Sequence, residues 1–242
     1  MHRTGIVTLA LLIWLPMSTL WAQPPSAVPV YLEDEPIYTS SNPDTPGFLM
    51  EIFQAMSSHL KIHTEVHFMP WNRAQAEASR TPNALIFPLA RTEPRESLYL
   101  WLCQVFDVPV MFVTKKGQPV IDSFEQARSV RGIGVIIGTP QERMLEQQGV
   151  PHVSFTGKEL YQALADDHIN ALYTARPEAV FGWRRGGFEG DLQYGNTLQT
   201  LPLWIAAGKD STWLNPRDWQ AALNRVKESG FYQRKEQEYF GH

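Results

Sequence analysis

The sequence predicts an α/β fold with largely parallel sheets. Two observations carry this. Short apolar runs alternate along the chain with stretches whose apolar residues recur at helical spacing. Two longer extended runs, near residues 100–114 and 198–207, interrupt that alternation and are the places where the chain can cross between lobes. Two such crossings make one lobe discontinuous and put both chain ends in it.

The elements follow in order. VPVYL reads as a strand. GFLMEIFQAMSSHL is an amphipathic helix with Phe48, Ile52, Phe53, Met56 and Leu60 on one face. IHTEVHFM alternates as a strand, NRAQAEAS is a short helix, and NALIFPL is a buried strand. LYLWLCQVFDVPVMFVTKKG is a long extended run, and RGIGVIIGT is another buried strand. PQERMLEQQG is a helix, with Pro140 in its first turn and Gly149 at its stop. GKELYQALADD is a helix, NALYTA a strand and RPEAVFGWRR a helix. After the turn RRGGFEGD come the extended TLPLWIAAGKD and one or two terminal helices.

The first 22 residues have the layout of a secretory leader: Arg3, an apolar run from Ile6 to Leu15, then Leu20-Trp21-Ala22 with a small residue at the end. The run is shorter than the roughly 20 residues that span a bilayer. The expectation is a protein exported to the periplasm, beginning near Gln23. The remainder, roughly 220 residues, suits one large domain or two lobes of about 100. With 21 Lys and Arg against 25 Asp and Glu and no basic run, the chain is not built for nucleic acid. Eight Trp and 43% hydrophobic residues exclude disorder. Cys103 is the only cysteine, so no intrachain disulfide can form, and its apolar neighbours read as a buried, inert site.

The segment ALIFPLARTEPRESLYLW places Arg91 and Arg95 where one apolar run ends and the next begins. A guanidinium is a planar fork matched to a carboxylate, so these residues suit either a carboxylate clamp or a surface ion pair. Arg91 can pair with Glu93 or Asp107, or serve a diacid as a second cation. Arg95 can pair with Glu96 or Glu93. Arg73 can lie near a cleft beside Trp71. His63, Glu65 and His67 share one strand face, which reads as a solvated outer face rather than a zinc site. GIGVIIG puts its glycines before and after a strand, not within one strand-to-helix turn, and so does not form a dinucleotide loop. No Gly-x-Ser-x-Gly elbow occurs.

Taken together, YLEDEPIY, GFLMEIFQAM, PWNRA, ALIFPLARTEPR, RGIGVIIGTPQE and INALYTARPEAV resemble, in order and spacing, the periplasmic solute-binding proteins of the polar amino-acid uptake type. The resemblance covers nearly all of the chain after the leader. It implies a type II periplasmic binding fold: two lobes, each a mostly parallel sheet flanked by helices, joined by two hinge crossings. Residues 23–105 and 200–242 would form one lobe, and 106–199 the other. It further implies a monomer that takes a small carboxylate-bearing solute, uses no cofactor or metal, and delivers to an ABC permease or a membrane receptor.

The family's Thr-x-x-Arg element falls on Thr92 to Arg95, giving Arg95 the ligand carboxylate, and its stacking aromatic falls on Trp71. Gly138 and Thr139 open a helix whose amides would hold the same carboxylate. The departures matter as much. Phe87, Pro88 and Ala90 stand where the family carries serines, leaving Phe87 as a second stacking aromatic. Ala175 stands where an Asp meets the ligand's ammonium. Such a cleft is then expected to take a carboxylate without an amine, or an aromatic acid stacked on Trp71 and Phe87, unless Glu33, Asp34 or Glu35 supplies the missing negative charge. Dehydratases acting on prephenate or arogenate share this resemblance. For that chemistry Glu178 and Glu33 are the candidate acids.

Overall fold

The computed structural model describes residues 27–240, so the leader expected at 1–22 lies outside the described residues. Nine strands form one continuous sheet whose main path runs β2-β1-β3-β9-β4-β7-β5-β6, with β8 joined to β4. At one end, β1 (Val28–Leu32) pairs in parallel with β2 (Thr64–Phe68) and β3 (Leu85–Ala90). At the other, β5 (Ile133–Ile136) pairs in parallel with β6 (Val153–Phe155) and β7 (Ala171–Ala175).

The two parallel sets are joined by β4 (Tyr99–Lys115) and β9 (Gln199–Gly208), an antiparallel ladder running from Tyr99 opposite Gly208 to Val110 opposite Gln199. β4 is 17 residues long. Its first half belongs with β9 and β3, and its end pairs with β7 and with β8 (Leu192–Tyr194). This is a two-lobed α/β fold, parallel within each lobe and antiparallel where the chain crosses. At the crossing Asp107 faces Pro202 and Pro109 faces Thr200. The Pro202 carbonyl accepts from the Arg91 amide at 3.2 Å, so its nitrogen faces away from β4 and the ladder tolerates it.

In the first lobe, helix α1 (Phe48–Leu60) buries Phe48, Ile52, Phe53 and Met56, the face its spacing predicts. Phe53 stacks on Phe87 at 4.3 Å and on Trp219 at 5.9 Å. Helices α7 (Pro216–Glu228) and α8 (Phe231–Phe240) lie against α1. Phe48 meets Tyr232 and Phe240, at 5.3 and 5.0 Å, and the Tyr239 hydroxyl donates to Glu51 at 2.8 Å. Helix α2 (Trp71–Arg80) covers β1 and β9.

The second lobe carries α3 (Phe124–Ala127), α4 (Pro140–Gln147), α5 (Gly157–Ala165) and α6 (Arg176–Arg185). The sequence reading does not contain α3, β6 or β8, all only three or four residues long and too short to show a period. Cys103 is buried in β4, and burial pushes its thiol up to about 12. No helix among the described residues is long and apolar enough to cross a membrane.

Candidate functional site

A cleft of about 1180 Å³ opens between the lobes. The first lobe contributes the loop after β1, the start of α2, the end of β3 and the turn holding Arg95. The second contributes the starts of α4 and α6, and one face of α5.

The cationic end is Arg95. It ends a single 3-10 turn, Glu93–Arg95, and donates from Nη1 to the Ala90 carbonyl at 3.0 Å, which aims its guanidinium into the cleft. Among the described residues no carboxylate pairs with it. Burial, and then the Arg143 guanidinium of α4, pull Arg95 below the usual arginine range. Arg95 therefore faces the cleft without an anion, and the other cation among the residues lining it is Arg185 of α6.

Arg91 has a different partner from those expected. It forms a two-point ion pair with Glu96, not with Glu93 or Asp107, and lies over Trp204 at 4.6 Å. Arg73 is 69% exposed and sits 3.8 Å from Glu77 on the outer face of α2, away from the cleft. On edge strand β2, His67 lies 3.6 Å from Glu65.

The acidic end is built from both lobes. In the first, a turn closed by reciprocal backbone bonds between Glu35 and Thr39, both 2.8 Å, presents the Glu35 carboxyl to the cleft. In the second, Glu178 is the third residue of α6 and folds back over its own helix start. It accepts from Thr174 Oγ1 at 2.9 Å and from the Ala175 amide. The two carboxyls are close enough to repel. Burial first, then Glu178, then Glu33, push Glu35 up to about 8, and burial raises Glu178 as well.

Tyr161 of α5 donates to the Glu178 carbonyl at 3.0 Å. Its ring lies on Gly182, where an added Cβ would come within 2.3 Å of it. Glu33, at the cleft mouth, accepts from the Trp71 amide and so caps α2, which fixes where Trp71 enters the cleft.

Of the residues singled out from sequence, Arg95, Trp71, Ala90, Gly138, Thr139 and Glu33 line the cleft. Two do not. Phe87 is fully buried beneath it against Phe53, because its β3 position faces the α1 side of the sheet. Ala175 is fully buried at the start of α6 and contributes only its amide, to Glu178.

The α4 terminus also differs from expectation. The Gly138 N–H donates to Glu142 Oε2 at 2.6 Å, and Thr139 Oγ1 accepts from the Glu142 amide at 3.2 Å. The helix thus carries its own carboxylate where a ligand's was expected. Gln141 Oε1, buried at the cleft wall, has no hydrogen-bond partner. Sequence reasoning missed the pairing of Glu35 with Glu178. Glu178 sits one helical turn after the position aligned to the ammonium-binding Asp, and a glutamate in a first turn reads as an ordinary helix start.

The sequence matches no family model and no curated protein. Its fold matches many solved structures. A probable amino-acid ABC transporter extracellular-binding protein, ytmK from Bacillus subtilis, superposes with a TM-score of 0.76 at 12% identity, covering 89% of this chain and 97% of that one. The GluR0 ligand-binding core from Nostoc punctiforme, in complex with L-glutamate, gives 0.74 at 16%, covering 89% and 100%. The ancestral amino acid-binding protein AncCDT-1, a precursor of cyclohexadienyl dehydratase, gives 0.73 at 16%, covering 88% and 95%. At these identities the likeness shows the fold, which is the type II periplasmic binding fold.

Proposed function

We propose that this protein is a periplasmic binding protein that captures a small amino acid between its lobes and delivers it, as a monomer, to a membrane transporter. The observation that carries this reading is the charge separation across one cleft. An unpaired guanidinium, Arg95, stands at one end, and two carboxyls without a cationic partner, Glu35 and Glu178, stand at the other. A zwitterion satisfies both ends at once, its carboxylate on the Arg95 fork and its ammonium between the acids. Trp71 and Tyr161 give its side chain flat surfaces to lie on. Because the groups come from both lobes, such a ligand binds the closed arrangement more tightly than the open one and shifts the population toward it. The residues before Gln23 act as an export leader in this reading.

The test is a thermal-shift screen with L-glutamate, L-glutamine, L-arginine and L-histidine, each beside its deaminated 2-keto counterpart. The amino acid should raise Tm and the keto acid should not. A stronger response to the keto acids would remove the ammonium from the reading.

One observation favours a second reading. Glu35, at about 8, keeps its proton at neutral pH and could serve as a general acid in an enzyme of the prephenate or arogenate dehydratase type. Incubation with prephenate and with arogenate, followed by absorbance of the aromatic product, decides it. Turnover lost in Glu35→Gln supports the enzyme, and no product supports the binding protein alone.

A further inference from the structure

The acidic end of the cleft has a property that amino-acid capture alone does not require. Glu35 comes from the first lobe and Glu178 from the second, so two anions meet across a gap rather than along one surface. The Glu178 carboxylate is tied down by Thr174 and the Ala175 amide, whereas the Glu35 carboxyl accepts no hydrogen bond among the described residues. The groups facing the pair are Glu33 and Tyr38 from the same loop, Tyr161 from α5 and Thr174 at the end of β7, and none is a cation. The other charged groups lining the cleft are Asp34, Arg95 and Arg185. Tyr38 is 1% exposed, its hydroxyl has no hydrogen-bond partner, and it feels the field of both carboxyls. A buried pair of like charges with an orphaned hydroxyl beside it is a site that lacks one positive charge.

We propose that in the unliganded cleft one proton sits on the Glu35–Glu178 pair, and that the ligand's ammonium replaces it, the proton leaving to solvent. This rests on the amino-acid reading above and deepens it: the site exchanges one cation for another, so capture releases a proton. It follows that the ligand must carry a cationic nitrogen. Observed affinity should rise about tenfold per pH unit below the titration of the pair and level off above it. Burial and mutual repulsion keep the proton on the pair at neutral pH, consistent with the raised Glu35.

The experiment is titration calorimetry of the full chain at pH 7 in phosphate and in Tris, whose ionisation heats differ. The probe is whichever of L-glutamate, L-glutamine, L-arginine and L-histidine raises Tm most. The difference in observed heat should correspond to close to one proton released per ligand, and Glu35→Gln should abolish that difference while still giving a measurable binding isotherm. Equal heats in the two buffers with wild-type protein would sink the proton exchange and leave amino-acid binding intact.

If none of the four binds, the amino-acid reading fails instead. ¹³C NMR titration of ligand-free protein labelled at glutamate Cδ then tests the proton by itself. One carboxyl titrating near pH 8 and missing from Glu35→Gln upholds the shared proton. All glutamates titrating below pH 6 overturn it.

Discussion

Arg91 and Arg95, four residues apart in one short turn, divide two tasks between them. Arg91 lies on Trp204 and pairs with Glu96, while Arg95 keeps a free guanidinium in the cleft. Replacing Arg95 by Ala removes a charged hydrogen-bond donor with no substitute. The expected loss is about 1.5–3 kcal/mol, roughly 10- to 150-fold in Kd by calorimetry, with the fold intact by circular dichroism. Arg91→Ala should leave Kd unchanged. Glu35→Gln makes a separate test through stability. A carboxyl raised in the folded state contributes fully below its unfolded range near 4.5, and that contribution is lost as pH rises through about 8. The variant should therefore match wild type in Tm at pH 4 and exceed it at pH 9. An equal Tm at both pH values would mean that Glu35 is not strained. At this scale the sequence singled out Arg95 and Trp71, and both line the cleft. It misplaced those whose role depends on local direction. Phe87 alternates inward to Phe53, and Ala175 yields its place to Glu178, which a helix start turns back toward the cleft.

Helices α4 and α6 share one device at the scale of the element. The third helical residue of each, Glu142 or Glu178, folds back on the helix start and occupies the positive end of the dipole. Of the two carboxylates only that of Glu178 lines the cleft. In α4 the Thr139 hydroxyl completes the cap, and Thr139→Ala should lower stability by about 1 kcal/mol in denaturant unfolding. In α6 the close seating of Tyr161 depends on Gly182 having no side chain. Gly182→Ala should displace the ring and weaken ligand binding while removing little else. Unchanged Kd in that variant would exclude Tyr161 from the binding surface. The long periodic helices and the apolar strands were legible in the sequence because each repeats its pattern over several residues. The three- and four-residue elements α3, β6 and β8 carry no period and are set by their neighbours.

Across the whole molecule, the extended runs expected near 100–114 and 198–207 are the strands β4 and β9, and both lobes hang from that one ladder. The alternation of apolar runs and helices indicated the layers. The antiparallel pairing of the crossing strands was not legible, because strand direction is fixed by distant partners and not by local pattern. The crossing consists of only two strands, and a bend confined to them suits closure about a ligand. A ligand at 100 times its Kd adds about 2.7 kcal/mol, which for a chain of this size is a rise in Tm of roughly 5–10 °C. Closure should appear as a smaller radius of gyration in X-ray scattering on adding the ligand, and an unchanged radius would argue for capture without closure. The buried thiol of β4 has a practical consequence for watching that motion. Cys103 is the single cysteine and, at about 12, is almost never a thiolate, so maleimide dyes will pass it by. Two cysteines placed on the outer faces of α1 and α5 can then be labelled in the native background, and the distance between dyes reports the opening and shutting of single molecules.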